Sequence, residues 1–359
     1  MPASATSTEA RPHAGAVDRP ALIEAVQRNC DLADAHHARE KSLCTYLLGM
    51  REYFRWASRA PAGHAPDRTR LGEWVSRHEQ RWEEMRDAES AYGPLPIGGG
   101  IDPFDDADAN RHLAAEGLVY GAGVGLFGAP VFCLAQRLSD EAREGARVIV
   151  AGEELARGFV APPAASRDAT VLIRLDALRR WLWTRAEAAR RSPDNAFAVA
   201  LRGYGDPEDA AAAVERMAHG EVETLVLHEL GELQAGSLLG EDWERMLAGV
   251  EDRRTELLVR AVRDLLADCL VTLPRLVERQ AGASLVFWIA GFDGLRRLLA
   301  PELAAAYRAE LRTVDADRLG RAAQRGHQTW LDVASELLAQ WRRGGQAALT
   351  EHAARLAGA

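Results

Sequence analysis

Apolar residues recur along the chain with two different periods, and the change between them divides the sequence. From Pro20 to about Trp56 the period is helical: Leu22, Ile23, Val26 and Cys30 mark one face, and Leu43, Tyr46, Leu47, Met50 and Phe54 mark another after a break near residues 38 to 41. Leu71, Trp74, Val75, His78, Trp82 and Met85, at steps of three and four, predict a third helix from about Thr69 to Ala91. The breaker PLPIGGGIDPFDD closes this region. After residue 115 the pattern shortens. LVYGAGVGLFGAPVFCLAQRL predicts two strands flanking a Gly- and Pro-containing turn, and ARVIVAG and ATVLIRL predict two more β-rich runs. From Leu175 helical spacing returns, through LRRWLWTRAEAARR, a helix containing HELGE, a long helix over residues 251 to 273, and two or three more to the end.

The fold class that follows is α+β, mostly α, with helical regions around a small sheet of three or four strands. The expected division is a disordered tail over 1–18, a helical region over 19–95, the sheet over 96–175, and a helical region over 176–359 carrying the HELGE and RDLLAD helices. No repeat of fixed period is visible.

Length and charge narrow the function classes. A chain of 359 residues can bury a core without metal or disulfide staples. Its 44 basic and 53 acidic side chains give a net charge of −9 with no basic cluster, which argues against nucleic acid or an anionic membrane as partner. Cys30, Cys44, Cys133 and Cys269 lie far apart in apolar contexts, as buried free thiols of a reducing compartment do. The first residues lack the apolar core of a signal peptide and no run of about 18 apolar residues occurs, so a soluble, cytoplasmic protein is expected, with homo-oligomerisation left open.

Three polar clusters carry candidate chemistry. In TLVLHELGEL, His228 and Glu232 stand four apart and share a helix face, while Glu229 points about 100° away. That geometry gives an ion two ligands and keeps Glu229 as general base. A His with carboxylates suits zinc, iron or manganese, and an oxygen-rich set shifts the preference toward iron and manganese. In RAVRDLLADCLVTLP, Asp264 and Asp268 also stand four apart, among Val262, Leu265, Leu266, Cys269 and Leu270. Aspartate is poor both in mid-helix and in a core, so the pair needs partners: either a metal, or Arg260 and Arg263 of the same helix. In NCDLADAHHARE, Asp31, Asp34 and His37 step by threes, and a helix presenting Asp34 and His37 inward would complete a site with the other two helices. The plain alternatives are a solvated polar face there, and a half-exposed His–Glu hydrogen bond in HELGE. Arg51 and Glu52 beside aromatic core positions read as a buried ion pair. The glycines of YGAGVGLFG precede a strand rather than a helix, so they describe a hairpin and not a dinucleotide loop.

NCDLADAHHA, LCTYLLGMREYFRW, HELGE and RAVRDLLADCLVTLP together resemble an uncharacterised bacterial family over roughly residues 20 to 310, including Pro-Phe-Asp at 103–105 and GEELAR at 152–157. The resemblance implies a cytoplasmic protein that works as one unit, and no activity. HELGE is also similar to the zincin helix, and the Asp264–Asp268 pair to the Glu-x-x-x-Asp helix of one zincin branch. Glu232 in place of the second histidine and Asp264 in place of the glutamate depart from that pattern.

The expectation is a metal-dependent enzyme, hydrolase or non-haem oxidase, acting on a small-molecule or peptide substrate. Its divalent ion would be held by His228, Glu232 and some of Asp264, Asp268, Asp34 and His37, with Glu229 as base. The competing expectation is a non-catalytic helical interaction protein with buried ion-pair networks; a zincin-like peptidase is the third.

Overall fold

A computed structural model describes residues 17–40, 42–61, 64–88, 91–192 and 194–358; most of the expected tail, residues 1–16, lies outside them. Asp18 caps the first helix, α1 (Arg19–His37), by accepting from Ala21 N–H, and Pro20 fits its first turn. A short 3₁₀ turn, Ala38–Glu40, ends it where the sequence marks a break. Ser42 and Asp67 cap α2 (Leu43–Ala57) and α3 (Arg68–Asp87), the latter ending short of Ala91. A small helix, α4 (Asp106–Leu113), leads into the sheet.

The sheet has five strands rather than three or four: β1 (Leu118–Val124), β2 (Pro130–Arg143), β3 (Ala146–Arg157), β4 (Ala164–Arg167) and β5 (Thr170–Arg174), in the order β1-β2-β3-β5-β4. All neighbours are antiparallel except β3 and β5. The strand missing from the sequence reading is β4, whose Ala-Ala-Ser-Arg carries no apolar alternation. The glycine-rich stretch is the β1–β2 hairpin, closed by Gly125 N–H to Ala129 O. The sheet is curled, and two thirds of the described residues are helical, so the class is α+β and mostly α.

The remaining helices are α5 (Leu175–Ala189), α6 (Ala196–Arg202), α7 (Ala210–Gly220), α8 (Val222–Leu239), α9 (Glu241–Ala248), α10 (Arg253–Ala267), α11 (Leu273–Glu278), α12 (Gly282–Gly291), α13 (Gly294–Leu299), α14 (Pro301–Ala304) and α15 (Ala316–Gly358), the last broken at Gly344–Gly345. A two-stranded ribbon, Tyr307–Arg308 with Thr313–Val314, precedes α15. One wide turn of π-helix, Asp268–Thr272, joins α10 to α11. The largest core is built on α8, α10 and α15, with Val226, Leu227, Leu230, Val262, Leu265 and Leu337 buried in it. Helix α8 is apolar on nearly all sides because α10 covers one face and β4 and β5 another. Of the cysteines, Cys30, Cys133 and Cys269 are buried free thiols as expected, but Cys44 is exposed, because α2 turns the face bearing Leu43, Leu47 and Leu48 outward while Tyr46 and Met50 face the core. Arg51 and Glu52 do pair, at 3.5 Å, and Arg51 also reaches Glu187 at 2.8 Å. Among the described residues no helix is long and apolar enough to cross a membrane.

One feature of the N-terminal helices has a measurable pH signature. His78 stacks on Trp74 with ring centroids 3.8 Å apart, and Tyr53 and Trp82 meet it edge-on. Burial, and then the charge of Arg81, push its pKa down from 6.5 to about 4. As pH falls from 6.5 toward 4 the unfolded chain takes up a proton that the native ring refuses, so stability is whole above pH 6.5 and is lost across that window. Allowing for partial exposure, the loss is about 2 kcal/mol. His78→Phe keeps the stack and removes the titration. Urea unfolding at neutral and acidic pH should show wild type losing about 1–2 kcal/mol more than the variant; equal losses would contradict the assignment.

Candidate metal centre

The site is made where α8 crosses α10. Gly231 permits the crossing: a Cβ there would lie 2.6 Å from the Ala267 carbonyl oxygen, closer than any side chain tolerates. The contact brings the HELGE face against the RDLLAD face. One donor atom each from His228, Glu232 and Asp264 lie within 4.8 Å of one another, all partly buried. His228 Nε2 stands 3.6 Å from Glu232 Oε1, and Asp264 shares a hydrogen bond with Glu232. The far oxygen of Glu232 accepts from Arg263 Nη2 at 2.8 Å.

Asp268 stands behind this trio instead of within it. It is 0% exposed, and its Oδ1 accepts from His228 Nδ1–H at 2.8 Å, which fixes the ring so that Nε2 faces Glu232. Its other oxygen lies 3.4 Å from Arg296 Nη1, and Trp288 also hydrogen-bonds the carboxylate. Arg296 is fixed in turn by the Gly291 carbonyl at 2.8 Å.

Charge is finely divided here. Burial opposes the charged form of His228, but Asp268 and then Glu232 outweigh it and raise its pKa well above 6.5. Burial likewise opposes the Asp268 and Glu232 carboxylates, yet His228 and Arg296 hold the first below the usual range, and Arg263 and His228 the second. Burial, reinforced by the Glu232 charge, pushes both Glu229 and Asp264 up to about 7. Both carboxyls thus hold a proton more readily than an ordinary exposed acid.

Glu229 and Glu232 open onto a cavity of about 590 Å³, together with Arg260 and Arg263. Its opposite wall is α1, from which Cys30, Asp34 and His37 face it, and the hairpin turn, with Val124, Leu126 and Phe127, supplies apolar surface. Glu229 is 6% exposed and its Oε2 has no hydrogen-bond partner among the described residues. Asp34 and His37 therefore reach the same cavity but not the trio; the Asp34 carboxylate accepts from Phe159 N–H at 2.7 Å. Asp31 is turned elsewhere, paired with Arg81 at 2.8 Å.

The arginines expected to neutralise Asp264 and Asp268 along their own helix do otherwise. Arg260 bonds Glu256 at 2.8 Å and Arg263 reaches across to α8. Two site residues were not visible in the sequence. Arg296 looks like the basic face of a short surface helix, and Ser166, which hydrogen-bonds Glu229, sits in the unrecognised β4. Neither carries a local signal.

Two family models match the chain. Residues 21–174 match the N-terminal domain, and residues 179–359 the C-terminal domain, of a family of unknown function, DUF6866. Neither the curated proteins nor the solved structures yield a match.

Proposed function

The chain belongs to the DUF6866 family, with both domains in order; since that family brings no activity with it, we propose from the site alone that the protein is a divalent-metal-dependent hydrolase. In this reading His228 Nε2, Glu232 and Asp264 hold the ion and Glu229 is the general base. The reading is carried by one observation: three donor atoms from two crossing helices converge within 4.8 Å, beside a buried carboxyl on a cavity wall with one oxygen unpartnered among the described residues. One nitrogen and two oxygens favour manganese or iron ahead of zinc. A bound ion polarises water and a substrate oxygen at neutral pH. Asp268 keeps the His228 ring oriented, and Arg296 and Trp288 keep Asp268 in place. Glu229, with a pKa of about 7, accepts the proton of the attacking water and returns it to the leaving group.

The competing reading, a non-catalytic interaction protein, is favoured by the complete pairing of Glu232 with Arg263 and of Asp268 with His228 and Arg296. Elemental analysis separates the two. The hydrolase reading expects about one equivalent of manganese, iron or zinc in purified protein, lost in His228→Ala. Metal-free wild type that takes up none of the three ions on addition, with Glu232→Ala losing about 3–5 kcal/mol of stability, would replace it by the ion-pair network.

A further inference from the structure

The sheet leaves an open edge beside this site. In β4, Arg174 N–H donates to Pro163 O, so the alternation of the antiparallel ladder turns Ala165 and Arg167 toward β5, and Ala164 and Ser166 away from it. No hydrogen bond among the described residues takes the outward backbone groups of Ala164 or Ser166. The other edge, β1, is largely occupied. Gly125 N–H donates to Ala129 O, so Tyr120, Ala122 and Val124 face outward; Asn110 bonds both groups of Tyr120, at 2.7 and 2.8 Å, and Arg167 reaches the Ala122 carbonyl at 3.2 Å. Among the described residues the outward groups of Val124 and of Leu118, at the strand's two ends, are left.

Val124, Ala164 and Ser166 all line the cavity that Glu229 and Glu232 line. A second cavity, of about 730 Å³, continues past the hairpin turn and shares Val124, Ala165, Ser166, Arg260 and Arg263 with the first. Between Pro163 and the charged Arg167, the edge carries only small side chains, Ala164, Ala165 and Ser166, without the charge or bulge that repels another strand. Small side chains let a second backbone approach. The unpartnered Glu229 oxygen lies at the same wall.

We propose that the substrate is a peptide in extended conformation, which pairs with Ala164–Ser166 of β4 as an added strand and carries an amide across the Glu229–Glu232 wall. This rests on the hydrolase reading for its chemistry but not for its binding. In the reaction, water adds its oxygen to the amide carbon, Glu229 takes the water proton and passes it to the nitrogen, and the C–N bond breaks. One water is consumed per bond cut, and no oxidant or reductant is needed.

The test uses manganese-loaded full-length protein and a fluorescein-labelled mixture of short peptides of randomised sequence, read by anisotropy and amide hydrogen exchange. Peptide binding should protect the Ala164 and Ser166 amides. Ala164→Pro, which removes one outward N–H, should weaken binding about tenfold. Peptides N-methylated at alternate residues should not bind. Binding that leaves these amides unprotected and ignores Ala164→Pro, or no peptide binding at all, overturns the proposal. Metal content measured on the same samples keeps the two readings apart. Peptide protection in protein that takes up no metal sustains the edge site and sinks the hydrolase; stoichiometric metal without peptide binding does the reverse.

Discussion

Asp268→Ala lowers unfolding free energy by about 3 kcal/mol and weakens metal binding about tenfold to a hundredfold. Both effects have one cause. The carboxylate is fully buried between the His228 ring and the Arg296 guanidinium, at 2.8 and 3.4 Å. Its removal leaves two cationic groups facing each other without a counter-charge, though each is partly in contact with solvent, which keeps the loss at the lower end for a broken buried pair. The ring also loses the acceptor that points Nε2 toward Glu232. Asp268→Asn keeps an acceptor and the volume, so it should lose less on both measures. Chemical denaturation of Asp268→Ala, His228→Ala and the double variant gives the coupling directly; a coupling below about 0.5 kcal/mol would mean the pair is incidental.

Gly231→Ala is expected to lose about 2–3 kcal/mol, although alanine in place of glycine inside a helix ordinarily stabilises by up to about 1 kcal/mol. The sign reverses because the new methyl would meet backbone, the Ala267 oxygen at 2.6 Å and its carbon at 3.0 Å, and a main chain cannot rotate aside as a side chain can. Helices α8 and α10 must separate, and the donor atoms of His228 and Glu232 then part from Asp264. Gly236→Ala, in the same helix, is the internal control: nothing lies within 4 Å of its Cβ position, so it should gain stability. Thermal unfolding of both variants with metal titration decides the matter; Gly231→Ala as stable as wild type would refute the close crossing.

The geometry of the candidate site was legible in the sequence wherever helical spacing and the cost of burying an acid act locally. The pairs His228–Glu232 and Asp264–Asp268 share faces because they are four apart, and the two faces do meet. What spacing does not encode is which distant partner each acid finds. Asp268 is neutralised by His228 and Arg296, not by the arginines beside it, and Arg263 serves Glu232 on another helix. Asp34 and His37 illustrate the same limit. Their helix does face the cavity, but neither residue joins the trio. The strand count failed for a local reason: Ala164–Arg167 holds its place through backbone bonds to β5, which need no apolar pattern.

The chamber's lining has a consequence for inheritance. The lining residues from Cys30 to Ser166 fall within the segment matched to one family domain, and those from Glu229 to Arg263 within the segment matched to its companion. The first segment supplies most of the enclosure, and the second supplies four charged side chains, Glu229, Glu232, Arg260 and Arg263. A recombination event that exchanged one segment for a divergent cousin would have to preserve the fit of those four side chains to the rest of the lining.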